Sequence, residues 1–280
     1  MYCKFPIPIF HNDKKYIGCE YESPDGGTLA NVNKVARNGD FFSAVRSLLI
    51  GCISSIKTDS DQEITDSTSL KSLISKLPTR TADTLSTLIM LEYNEGDDGV
   101  EGVYTCPRCY NKIISELKIV DGMEIDTRDH INSYPINYYT GETGTFEVML
   151  SKPVNFIDTN RNEVIDEIVG FEMRFPTLED GINAFQKYGG KDEIRMQFGM
   201  FINAIQTVNG DVVDTRWKTA CGDLMFEKMR AVKRDIGFIT NNIKQYGIPS
   251  EVKKTCQNCE KEWMAPLNTS GFFVSALDSI

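Results

Sequence analysis

Long apolar runs are missing from this sequence of 280 residues. The longest apolar runs, such as Leu85–Tyr93, are far short of the roughly 20 residues that a membrane-spanning helix needs. A membrane is therefore not expected as a partner. The opening residues, Met1 to Lys15, lack an apolar segment followed by a small-residue cleavage site, so no secretory signal is read there and a cytoplasmic setting is expected. Histidine is scarce: His11 and His130 are the whole supply, and neither stands in a zinc-protease motif. No phosphate-cradling or dinucleotide glycine pattern is present either. The residues Asp158–Val169 begin like a calcium loop but carry Glu163 where glycine is needed and Val169 where a bidentate glutamate is needed. No catalytic residue is nominated, and neither an enzyme nor a small-molecule substrate is expected.

An excess of positive charge is also lacking. With 30 Lys and Arg against 40 Asp and Glu, the net charge is −10, which gives no general attraction for phosphate backbones or anionic lipid. What the chain does have is an ordinary globular composition, 41% hydrophobic and 25% charged, and enough length for one large or two modest domains.

Along the chain the predicted fold class is α+β. The first hundred residues read as mainly helical. Thr28–Gly39 and Asp40–Ile56 form two helices, the second with Phe41, Phe42, Val45, Leu48, Leu49 and Ile53 at helical spacing. A shorter helix ends at Pro78, and a longer one runs over Arg80–Asn94. The aromatic loop Ile131–Gly144 marks a boundary. Phe146–Phe156 and Val164–Pro176 then read as a hairpin, and from Thr177 the helical period returns over Thr177–Gly189, Asp192–Gly210 and Val212–Gly237. The organisation expected is a helical region with a first cysteine knuckle over 1–145, an inserted strand-helix domain over 146–245, and a second knuckle with a C-terminal strand over 246–280 that packs with 100–120.

Eight cysteines would suit a disulfide scaffold in a short secreted chain, which this is not. Cys52 and Cys221 sit in helix-like apolar settings and read as small core residues, while Cys3 and Cys19 flank an N-terminal strand and receive no role. The other four form two pairs, Cys106–Pro–Arg–Cys109 and Cys256–Gln–Asn–Cys259. Two Cys-x-x-Cys turns can complete a tetrahedral thiolate site with no open position, so one structural zinc per chain is expected on Cys106, Cys109, Cys256 and Cys259. The 146 residues between Cys109 and Cys256 far exceed the usual linker of about 15 to 20, which an inserted domain would explain. Two alternatives stay open. Cys-Pro-x-Cys is loosely thioredoxin-like, though a largely helical segment and an acidic glycine-rich loop precede it here, and four unliganded thiols are possible.

Tyr104, Cys106 and Cys109 in mid-chain, the terminal Cys256 and Cys259, and the double phenylalanine Phe272–Phe273 together resemble the baseplate-hub and tail-assembly family of contractile-tailed, T-even-like bacteriophages. The stretch Met149–Gly181, with Arg174, Pro176, Thr177 and Asp180, also looks like the strand-rich start of phage tail-assembly chaperones. The resemblance implies a non-enzymatic structural or assembly protein. It would be found in the virion tail baseplate and, during assembly, in the host cytoplasm, with other tail and baseplate proteins as its partners. Exposed aromatics at Tyr138, Tyr139, Phe272 and Phe273 would be its contact anchors. The runner-up function is a zinc-ribbon nucleic-acid-binding or regulatory protein, which a basic tip would favour; the tips supply only Arg108, with Lys112, Lys253, Lys254 and Lys261 nearby.

Overall fold

The computed structural model describes residues 1–93, 100–120, 122–127, 130–134, 136–158, 163–189, 192–222, 224–225, 228, 233–249 and 251–266. The fold is mixed α+β, with helices in the N-terminal region as expected, but those helices pack on a sheet that the helical reading omitted. Strands Tyr2–His11 (β1) and Lys14–Tyr21 (β2) form a hairpin, and Ile53–Thr58 (β3) and Glu63–Ile64 (β4) extend it in the order β1-β2-β3-β4. Its turn residues Asn12 and Asp13 both have positive φ, 51° and 57°, the conformation that a two-residue hairpin turn requires and that Asn and Asp tolerate best after glycine.

Helices Gly26–Ala36 (α1), Phe41–Cys52 (α2), Ser67–Ser75 (α3) and Thr79–Tyr93 (α4) cover this sheet. Asp25, Asp40 and Asp66 cap the first three, each accepting the N–H of the residue three positions on. The helix expected to continue to Ile56 stops at Cys52. Ile53, Ser55 and Ile56 instead pair with β2, where a β-branched and serine-rich run fits an extended ladder better than a helix. Leu48, Leu49, Ile56, Leu73, Leu77, Leu85 and Ile89 fill the core between helices and sheet.

A second core lies under the hairpin Thr145–Asp158 (β9) and Glu163–Arg174 (β10), which was expected from the sequence. The expected helix over Asp192–Gly210 breaks in two: Glu193–Ala204 (α6) remains helical, and Ile205–Val208 (β11) pairs with β10. The reason lies in Ile205-Gln206-Thr207-Val208 followed by Asn209-Gly210, a β-branched strand ending in an Asn-Gly turn with φ of 51° and 91°, which returns as Asp211–Val212 (β12). The Asn209 amide also bonds the N–H of Val169 and the C=O of Glu167 on β10. Leu178–Tyr188 (α5), capped by a Thr177–Asp180 capping box, leads into α6. Of the helix expected over Val212–Gly237, Thr215–Trp217 (α7) is helical and continues as a π turn to Gly222, and Lys233–Lys244 (α8) is helical and runs beyond it. Asp235 of α8, almost wholly buried, accepts both the N–H and the hydroxyl of Ser151 and so fixes α8 to β9.

The two cores are stitched together. Pro6 and Pro8 cannot donate to a ladder, and β1 leaves register with β2 between Lys4 and Ile9. In that detour Phe5 and Ile9 enter the first core and Ile7 enters the second. Leu178 of α5 returns the exchange by packing in the first core, beside the Thr79–Pro176 and Leu178–Leu77 backbone bonds.

Two further hairpins grow from this body. Val100–Thr105 (β5) and Lys112–Val120 (β6) form the first, continued by Gly122–Thr127 (β7) and His130–Tyr134 (β8), so the segment read as an aromatic loop begins with a strand. Glu251–Thr255 (β13) and Glu262–Pro266 (β14) form the second. The chain entering β13 is held on α4. The Arg80 guanidinium donates to the carbonyls of Tyr246 and Ile248, and the Ile248 N–H donates to Thr84 Oγ1. No helix among the described residues is long and apolar enough to cross a membrane.

Candidate metal centre

The two Cys-x-x-Cys turns close their hairpins in the same way. Cys106 N–H donates to Asn111 C=O and Tyr110 N–H to Cys106 C=O; Cys256 N–H donates to Lys261 C=O and Glu260 N–H to Cys256 C=O. Tyr110 and Glu260 each take the left-handed conformation, φ 58° and 55°, one residue after the second cysteine. The ladders end at matching pairs, Thr105 with Lys112 and Thr255 with Glu262. Two short segments far apart in the chain thus build one local structure twice.

The two turns meet through their sulfurs. Cys106 Sγ lies 3.7 Å from Cys259 Sγ, Cys109 Sγ lies 3.5 Å from Cys256 Sγ, and all four sulfurs fall within 4.8 Å of one another. A tetrahedral ion at about 2.3 Å from each thiolate puts the sulfurs roughly 3.8 Å apart, so the spacing fits a single bound metal ion. It is far longer than a disulfide bond of about 2.05 Å. Cys106 and Cys256 are buried, and Cys109 and Cys259 are half-buried.

Backbone N–H groups turn inward towards the sulfurs. The Asn111 N–H lowers the Cys109 thiol to about 6. Desolvation opposes ionisation of Cys106, but the N–H groups of Cys109 and Arg108 outweigh it and hold that thiol below its ordinary value. At Cys259 the Lys261 N–H favours the thiolate, yet desolvation and the three neighbouring sulfurs push the thiol up to about 12. The backbone thus stabilises thiolates that repel one another. A cation among them removes the conflict, and the donor set therefore fits a metal ion.

Between the hairpins, Lys254 is 1% exposed and its Nζ lies 4.2 Å from the ring centroid of Tyr104, itself buried. Burial pushes the Lys254 ammonium down to about 8. Lys254 therefore does not belong to a basic tip. Lys253 is exposed but paired with Glu262 at 2.8 Å. This inward pair escaped the sequence reading, although Tyr104 and Lys254 stand at one offset, two residues before the first cysteine of each turn.

The other nominated residues fall elsewhere. Tyr138 is exposed, with Lys4 Nζ 5.0 Å from its ring centroid. Tyr139 is half-buried, edge-on to Phe10, Phe175 and Tyr246 with centroids 6.4, 5.1 and 5.4 Å away, which makes it a packing residue of the body. Phe272 and Phe273 lie outside the described residues. Cys52 is a core residue as expected, and Cys3 and Cys19 are directly opposed across β1 and β2.

Compared with protein-family models, curated proteins and solved structures, the chain matches none.

Proposed function

We propose that this chain is a non-enzymatic structural or assembly protein of a contractile phage tail, working at the baseplate or hub by docking to other tail proteins. In this reading the four cysteines hold one structural zinc, as a zinc ribbon split by an inserted domain. The observation that carries it is the closed set of four sulfurs joining two hairpins whose cysteines stand 147 residues apart. Such a site leaves no position for substrate and serves to fix one surface element upon another. The tail assignment rests on the resemblance carried by Tyr104, the four cysteines and Phe272–Phe273. Support for docking comes from the apolar side chains that the two hairpins leave in solvent: Val103 and Ile114, which are direct cross-strand partners, with Tyr110 and Met264. The protein would occupy the host cytoplasm during assembly and the tail thereafter.

The test is to follow the tagged chain through tail assembly in infected cells. It is expected in purified particles or in baseplate intermediates together with tail proteins. Replacing Phe272 and Phe273 by serine should reduce that incorporation while the isolated protein stays folded. Absence of the wild-type chain from both particles and intermediates overturns the reading.

A further inference from the structure

We infer that Tyr104 and Lys254 form a recognition pair that matches the first knuckle to the second and rejects the pairing of like knuckles. The inference rests on the metal-clipped reading above and deepens it by naming residues that decide which two half-sites share an ion.

A Cys-x-x-Cys hairpin is half of a site, and any two halves can in principle close one tetrahedron. Here the halves are separated by a long stretch of chain, so during folding, or in a crowded assembly, the first knuckle of one copy can meet the first knuckle of another. The backbone ladders offer little discrimination, because both turns have the same backbone–backbone hydrogen bonds, a left-handed residue at the same position and the same closing register. The sulfurs offer none. Exchanging the two knuckles carries the contact of Cys106 with Cys259 into that of Cys256 with Cys109, so the sulfur arrangement is unchanged. Discrimination has to come from side chains that face each other across the exchange.

Tyr104 and Lys254 meet that condition. Each stands two residues before the first cysteine of its knuckle, and they touch each other at 4.2 Å from ammonium to ring centroid. A residue that contacts its own counterpart lies where like would meet like in a mismatched pair. Two first knuckles would place tyrosine on tyrosine and forfeit the cation–π contact. Two second knuckles would bury lysine against lysine, a like-charge contact in a dry site. The matched pair alone places a cation on a ring. Lys254 is among the largest fully buried side chains of the described residues, so this contact is made away from water, where it is strongest.

The experiment is a side-chain swap in the full chain, read by zinc affinity in competition with a chromophoric chelator. Tyr104→Lys is expected to weaken zinc binding roughly thirtyfold or more, and Lys254→Tyr about tenfold. The double variant Tyr104→Lys/Lys254→Tyr restores the pair with its members exchanged and should return to within about threefold of wild type. Lys254→Met, which keeps the bulk and loses the charge, should weaken binding about tenfold while amide protection across β9, β10 and β11 is unchanged, which separates lost pairing from lost folding. A double variant as weak as Tyr104→Lys alone overturns the inference, as does Lys254→Met binding zinc as tightly as wild type. Neither result touches the metal reading, which fails separately if the wild-type chain takes up no zinc.

Discussion

Thr81 Oγ1 accepts a hydrogen bond from the Ile7 N–H at 3.0 Å and donates one to the Ile7 C=O at 2.8 Å. One side chain on α4 thereby satisfies both backbone groups of a residue that has left its ladder between two prolines. Ile7 and Thr81 are both buried, so no water can take over these bonds. Thr81→Val keeps the shape and strands a donor and an acceptor, each of which costs about 1–3 kcal/mol when left unpaired. The variant should lose about 2–4 kcal/mol in urea unfolding, with the midpoint moved and the slope unchanged. A shift of only a few tenths would mean that β1 can re-pair there.

Protein purified without chelator should contain one zinc per chain. Thiols must shed protons to bind the ion, so binding weakens as pH falls and protons compete for the sulfurs. Cobalt titrated into the metal-free protein should give the thiolate-to-metal bands of a tetrahedral four-sulfur site, and any single cysteine-to-serine change among the four should reduce them. Two equivalents of metal, or disulfides in its place, would contradict a shared site.

What the sequence disclosed divides by the range of the interactions involved. The cysteine pairs were legible because Cys-x-x-Cys is a pattern of residue type and local spacing that an intervening stretch of chain leaves intact. Asp40 as a helix cap and the β9–β10 hairpin were legible for the same reason, being decided by neighbouring residues. Of the first sheet only one N-terminal strand, flanked by Cys3 and Cys19, is legible. Its turn uses Asn12-Asp13 in place of a glycine-containing pair, and β3 continues directly from a helix whose apolar period runs past the change. Asn209-Gly210 did carry a hairpin signal, which the helical period upstream concealed. Lys254 was unreadable as an inward residue because nothing local distinguishes it from exposed Lys253; the tyrosine that receives it lies 150 positions away.

Gly181 on α5 lies against Phe42 of α2, and a Cβ built there would come within 2.4 Å of the Phe42 ring. The contact belongs to the seam between the two cores, where Leu178 also packs. Gly181→Ala gains helix propensity worth about 1 kcal/mol but overpacks a buried contact, which typically costs about 1–3 kcal/mol. Net destabilisation is expected in thermal unfolding. Pairing it with Phe42→Leu, which opens space at that ring, should recover part of the loss. If Gly181→Ala is stabilising on its own, the seam is looser than this packing implies.

Strands β13 and β14 pair only with each other among the described residues, and the buried side chains are few: Val252, Lys254 and Ala265 on the strands and Cys256 in the turn. A two-stranded hairpin of this size is marginal in water, so its order depends on the sulfur site, on the Lys254–Tyr104 contact and on the grip of Arg80 and Thr84 on Tyr246 and Ile248. The β9–β10 sheet instead rests on a core containing Val148, Phe171, Met173, Phe201 and Ile239. Cys259→Ser removes one ligand and leaves that core untouched. Native-state hydrogen exchange should therefore show lost protection in 251–266 and in the Cys106–Lys112 turn, with little change at Val148, Phe171 and Ile205. The residues from Tyr246 to Ile248 should keep intermediate protection, because Arg80 and Thr84 still hold them. Uniform loss across both cores would mean that the knuckles and the body unfold as one cooperative unit, and that the metal stabilises the whole chain.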